Sequence, residues 1–313
     1  MSSHTSTHTH GMWLGLLGVG IFALTLPLTR LAVGTTDAPL MSGLFVAMGR
    51  AVAAAGLSAV WLAWTRAPWP KAQDWSPLAM TAFGVVLGFP LLTSVAMRHV
   101  EAVHASVIVG VLPLATAAVG ALLHRQRPSL RFWACAGLGS ALVVLYAVLR
   151  SSDGGLSLHP ADALLLAAML CAAVGYGYGA RLSQHMQAEH VICWALLLAL
   201  PVTLPLAAWS WPTESLPASA WGAFAYVAVF SMWLGFFAWY RGLALGGTVR
   251  VSQVQLAQPF LSMLFAVPLL GESLDAATVG FGLAVVATVF IGKRMPVAAP
   301  HIPSHTHTTR SPT

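Results

Sequence analysis

The stretch "VRVSQVQLAQPFLSMLFAVPLL", residues 249–270, decides how the chain is read. No charge follows Arg250 in it, and as a helix it is long enough to cross a hydrocarbon core of about 30 Å. Yet Ser252, Gln253, Gln255, Gln258 and Pro259 come in quick succession. Lipid cannot hydrogen-bond a glutamine amide, and leaving one unpartnered there costs several kcal/mol. These groups face protein or a wet cavity, and the rest of the chain has to supply one or the other.

Of the 313 residues, 58% are hydrophobic and 8% charged. A soluble domain carries about 25% charged residues, so a water-soluble fold is excluded. The apolar runs last about 20 residues and do not alternate every ~10, which points to helices and not a barrel. Ten such runs are present, near 12–33, 40–64, 77–97, 102–123, 132–150, 161–181, 190–209, 218–241, 248–270 and 275–292. The first has no preceding Lys or Arg and no small-residue cleavage site after it, so it reads as a retained span. With the N-terminus inside, eleven Lys/Arg fall in inner segments and three (Arg30, Arg98, Arg150) in outer ones, which places both ends in the cytoplasm. The +6 net charge is therefore a topology signal and calls for no nucleic-acid partner.

Other chemistry is sparse. Cys135, Cys171 and Cys193 lie in apolar runs without Cys-x-x-Cys spacing and read as small core residues. The His/Thr-rich tails lack the spacing of a zinc site and read as disordered ends, so no metal is expected. No hydrolase or metalloprotease motif occurs. "GVGIFA" (18–23) lies inside a span with no strand before it, so no dinucleotide cofactor is expected.

The opening stretch has a counterpart. Residues 102–123, "AVHASVIVGVLPLATAAVGALL", align with 248–269, "TVRVSQVQLAQPFLSMLFAVPL", placing Ser106 over Ser252 and Pro113 over Pro259 at an offset of 146. The chain then divides into a tail (1–11), a first five-span unit (12–150), a linker (151–160), a second unit (161–292) and a final tail (293–313). Five is odd, so the second copy enters the membrane from the opposite side. The expected fold is an all-α membrane protein of ten transmembrane helices arranged as two inverted five-helix repeats. Such repeats recur in secondary transporters, with the substrate site between them near the midplane.

Within this frame the polar residues acquire places. As α-helix, residues 252, 255, 259 and 262 share a face, so Ser252, Gln255, Pro259 and Ser262 form a stripe toward a cavity or a clasped neighbouring helix. Gln258 is open to the same two readings. Pro113 and Pro259 lack an N–H and leave the carbonyls of Val109 and Gln255 without their usual partners, a matched pair of broken helices. Arg50, a full charge well inside "FVAMGRAVAAAGL", either attracts a substrate carboxylate or ties backbone carbonyls. Trp233 and Tyr176 lie mid-span, able to stack on a ligand or simply to pack.

Two segments, 96–146 and 244–290, now resemble the repeat signature of the drug/metabolite transporter superfamily, EamA-type branch. The resemblance rests on the small residues before Ser106 and Ser252, on Pro113 and Pro259, on Gly271–Glu272, and on the Gly-containing span after that pair. Arg50 is similar to an arginine those proteins carry in the second span. Where Gly-Glu is usual, the first half has Arg125–Gln126. The resemblance implies a multi-pass exporter of small polar metabolites, often amino acids or derivatives, in a bacterial-type inner membrane. It implies a central cavity lined by spans one, three, four, six, eight and nine, which would include Thr25, Tyr176, Trp233 and Gln255. The partners implied are a small-molecule substrate and the lipid bilayer; the oligomeric state stays open, a homodimer being one option.

Overall fold

The computed structural model describes residues 2–123, 127–149, 159–246, 251–293 and 297–298. Most of the linker expected at 151–160, nearly all of the tail expected at 293–313, and Gln126 lie outside the described residues. Apart from a two-residue pairing of Arg127–Pro128 with Val297–Ala298, the described chain is helical. The apolar helices are α1 (Thr9–Val33), α2 (Gly43–Trp64), α3 (Ala72–Ala96), α4 (Ala102–Thr116), α5 (Trp133–Val143), α6 (Pro160–Leu182), α7 (Ala188–Trp209), α8 (Ala218–Gly246), α9 (Val254–Leu270) and α10 (Ala276–Thr288). Six of them (α1, α2, α3, α6, α7 and α8) are long and apolar enough to cross a membrane. The polar segment before α1, expected as a disordered tail, instead continues the helix back to Ser2. Extending an existing helix avoids the cost of nucleating one.

Local signals set the ends. Ser42 Oγ accepts the Phe45 N–H at 3.0 Å and caps α2, and Pro160 opens α6, where its missing N–H costs nothing. Gly271, at φ +68°, closes α9 in the left-handed conformation that glycine adopts without strain. Inside the helices, hydroxyls bond back to the preceding turn, as Thr93 Oγ1 does to Phe89 O and Ser106 Oγ to Ala102 O, both at 2.6 Å.

Interruptions in the helices recur at equivalent places in the two halves. α3 widens to a π-helix over Ala82–Gly88 and α8 over Val227–Leu234. The repeat offset carries 82–88 onto 228–234. α4 breaks at Gly110–Val111 before resuming at Leu112, and α9 is preceded and begun by a 3-10 segment, Ser252–Ala257. Each break stands just before the matched proline. The two breaks face each other, since a Cβ on Gly110 would lie 3.7 Å from Pro259 Cγ. The carbonyl of Gln255, expected to be free, is taken by the Gln258 N–H. An i to i+3 bond recovers what the proline removes.

Packing obeys the same correspondence. α1 packs on α8, and its counterpart α6 packs on α3. α2 pairs with α7, α4 with α9 and α5 with α10. The first two crossings are built on glycine. A Cβ on Gly242 would sit 2.7 Å from Gly15 N, and one on Gly84 would sit 2.6 Å from Gly175 N, so these backbones touch.

Gly222 and Gly242 of α8 make a matched test, because a Cβ on Gly222 meets nothing within 4 Å. Thermal unfolding of the detergent-solubilised protein should show Gly242→Ala destabilised by about 1–3 kcal/mol, because the helices must separate. Gly222→Ala should be neutral or gain up to about 1 kcal/mol from helix propensity. Equal behaviour of the two would deny the close crossing.

Candidate functional site

Among α1, α2, α3, α4, α6, α8 and α9 lies a cavity lined by Phe22, Thr25, Arg50, Tyr176, Ser231 and Gln258, with Phe89, Val85, Val109, Leu26, Met232 and Phe236 as apolar wall. It offers about 20 Å³ to the centre of a water molecule, room for little more than one. Both π segments contribute to it, through Val85 and through Ser231 with Met232.

Its polar groups differ in how they are satisfied. Thr25 Oγ1 and Ser231 Oγ are hydrogen-bonded to each other at 2.8 Å and buried. One hydroxyl donates in that pair, which leaves the other's proton free for a third group. Gln258 Oε1 is buried with no protein partner. Arg50 is 0% exposed, and its Nε, Nη1 and Nη2 have no acceptor within hydrogen-bond reach among the described residues. An arginine at the centre of a span costs about 2.5–3.5 kcal/mol on insertion scales, so an unpaired one needs a reason.

The sequence candidates divide. Thr25, Arg50, Tyr176 and Gln258 come together at the cavity. Gln255 is 1% exposed and its amide has no protein partner, but it is not among the lining residues. Gln258, one 3-10 turn beyond Gln255, is the glutamine that lines the cavity. The side chain of Ser252 lies outside the described residues. Trp233 stands apart, packed on Phe237 at 4.8 Å and Trp61 at 6.0 Å between ring centroids. Pro113 and Pro259 are buried at the facing breaks and do not line the cavity. Ser231, Phe22 and Phe236 were not singled out by sequence. Ser231 had one available signal, a hydroxyl within the aromatic run of α8.

Polar contacts close both ends of the bundle. At one end Arg30 Nη1 donates to the carbonyls of Met97 (2.6 Å) and Val100 (2.7 Å), and Arg98 Nη2 donates to that of Met41 (2.6 Å). There too His104 Nε2 meets Asp162 Oδ1 at 2.7 Å, joining α4 to α6. Glu272 accepts the N–H groups of Ala102 (2.8 Å) and Val103 (2.7 Å), capping α4 from the other half of the chain. At the opposite end His185 Nε2 meets Asp74 Oδ1 at 2.9 Å, and Arg241 pairs with Glu189 at 3.1 Å. Burial pushes the Glu272 carboxyl above its ordinary range, outweighing the two N–H bonds and Arg30, which pull it down. Burial, with the positive neighbours His159, Arg98 and Arg30, pulls His99 below its own.

Replacing Glu272 with Ala should cost about 0.5–2 kcal/mol, the usual loss for a helix cap. Glu272→Gln keeps one acceptor but cannot titrate. A carboxyl raised in the folded state favours folding at low pH and loses that contribution as pH rises through its folded pKa. The wild-type protein should therefore gain on Glu272→Gln as pH is lowered from neutrality, read as the difference in melting temperature. A difference independent of pH would show that the carboxylate is not strained by burial.

Comparison with known proteins gives these features a context. The chain matches the model of the EamA-like transporter family over residues 9–148 and again over residues 159–292. It is 42% identical over 290 residues to the uncharacterized transporter YdeK of Bacillus subtilis (strain 168), spanning 91% of this chain and 98% of that one. A protein of known crystal structure superposes at a TM-score of 0.59 and 19% identity, covering 93% of this chain and 96% of the other, a likeness of fold alone. Two family matches in tandem and a full-length relative agree with the apolar helices and the cavity between them. The chain belongs to the EamA-like transporter family of the drug/metabolite transporter superfamily, and is a multi-pass membrane transporter and not an enzyme.

Proposed function

We propose that this transporter exports small polar metabolites, such as amino acids or their derivatives, across a bacterial-type inner membrane by alternating access. Ten spans form two inverted five-helix repeats in this reading, with both termini in the cytoplasm. The double family match, the equivalent π segments and the paired breaks of α4 and α9 support the repeat. The outward direction rests on the family resemblance.

One observation carries the substrate reading. Unpartnered polar atoms of Arg50 and Gln258 converge with the Thr25–Ser231 hydroxyl pair on a cavity to which both halves contribute. A scaffold without flux gains nothing from such groups, and a dry apolar centre would be more stable. A polar solute uses all of them. The small volume fits a conformation closed toward both sides, in which the end contacts of Arg30, Glu272 and His104–Asp162, or those of Asp74–His185, alternately release.

Export from cells expressing the protein, measured as solutes appearing outside, tests this reading. Gln258→Leu should lower the rate about tenfold or more at unchanged expression, since a lost hydrogen bond leaves the solute's polar group unpaired. Trp233→Leu should lower thermal stability and leave the rate per folded molecule near wild type. Unchanged export in Gln258→Leu together with loss in Trp233→Leu would move the site to the aromatic cluster.

A further inference from the structure

Two half-buried arginines are used in a recognisable way. Arg30 reaches two backbone carbonyls and Arg98 reaches those of Met41 and Val33. Each ties down a helix end. Arg50 departs from this pattern, because it is fully buried in α2, lines the cavity, and has no carbonyl or other acceptor within reach among the described residues. None of the cavity's lining residues is acidic. The cavity therefore carries one fixed positive charge and no negative one.

That imbalance selects among small polar solutes. An α-ammonium group would enter a site holding a like charge and no counter-charge, whereas a carboxylate would neutralise Arg50 one to one. A guanidinium fork matches the two oxygens of a carboxylate geometrically. A dianion would remain half-compensated, since Arg50 is the only Lys or Arg among the lining residues. The Thr25–Ser231 pair, with one spare donor, and Gln258 stand close by to bond the rest of the molecule.

We infer that Arg50 is the substrate's charge anchor and that the preferred solute is a small monoanionic carboxylate whose amine is absent or masked, as in an acylated amino acid, over a zwitterion. This rests on the transport reading above and narrows its substrate class.

The purified full-length protein in detergent, at constant ionic strength, is melted in the presence of N-acetylglycine, glycine, N-acetylglycinamide and inorganic phosphate. N-acetylglycine should raise the melting temperature, and the other three should not. Arg50→Gln should weaken the N-acetylglycine effect about tenfold or more in concentration, as expected when one partner of a buried charge pair is removed. Arg50→Lys, which keeps the charge without the fork, should retain part of it. If Arg50→Gln does not fold, the ranking of the four compounds on the wild-type protein decides by itself. Glycine equal to N-acetylglycine, phosphate alone effective, a flat response to all four, or a full response in a folded Arg50→Gln would each overturn the assignment. Proteoliposomes loaded with the same compounds separate this failure from that of the transport reading. Arg50-dependent binding with no release above protein-free vesicles would overturn transport and keep the anchor. Release of glycine and N-acetylglycine at equal rates, unchanged by Arg50→Gln, would keep transport and overturn the anchor.

Discussion

Hydrocarbon supplies neither hydrogen-bond donors nor acceptors, and the whole architecture answers to that constraint. Helices satisfy it for the backbone, and hydroxyls such as those of Thr93 and Ser106 satisfy it by bonding back one turn. Before Pro259, which removes a donor, the chain runs as 3-10 helix, and the Gln258 N–H takes the Gln255 carbonyl. Several neutral groups stay unpartnered in the described interior, among them the hydroxyls of Thr29, Ser94 and Thr203 and the Gln255 amide, but Arg50 is the one full charge left wholly bare. What marks a site is that this charge and the Gln258 carbonyl share one cavity with the Thr25–Ser231 pair.

The position of that cavity is a consequence of how the helices cross. Glycine lets α1 meet α8 and α6 meet α3 at backbone contact, and these crossings hold the π segments of α3 and α8 against the centre. A π turn inserts a residue and rotates the helix beyond it, so Val85 and Ser231 are turned inward by the same device in each half. Ser231 then reaches Thr25 of α1. The polar and apolar parts of the wall come from equivalent helices used differently.

Much of this was legible from residues alone. Composition and run length required a helical membrane protein, and Ser106/Ser252 with Pro113/Pro259 fixed the offset at which the helix interruptions recur. Arg50, Tyr176, Thr25 and Gln258 were identifiable because charge, hydroxyl and amide groups are conspicuous inside apolar runs. What sequence could not rank was Gln255 against Gln258, since residues three apart share a face whether the segment is α or 3-10. Trp233 was one aromatic among many in α8, and only its ring contacts with Trp61 and Phe237 distinguish packing from recognition. Ser231 was hidden because nothing in a local pattern announces a π segment.

The two kinds of contact that hold the bundle also differ in what it costs to break them. Gly242 against Gly15, and Gly84 against Gly175, bring backbones together without polar exchange, and separating them would open voids that lipid tails fill poorly. The end contacts are hydrogen bonds and ion pairs, mostly part-buried, whose partners water can replace once an end opens, so the net worth of each is small. On the transport reading, opening is therefore easiest at the ends, with the glycine crossings as pivots. The two ends are not equivalent, however. Glu272 is an ionisable cap on α4, whereas the corresponding residue of the first half is Gln126, a neutral amide beside Arg125. Each end also carries a histidine–aspartate contact, His104–Asp162 at one and His185–Asp74 at the other, so the Glu272 cap is a tie that one end has in addition.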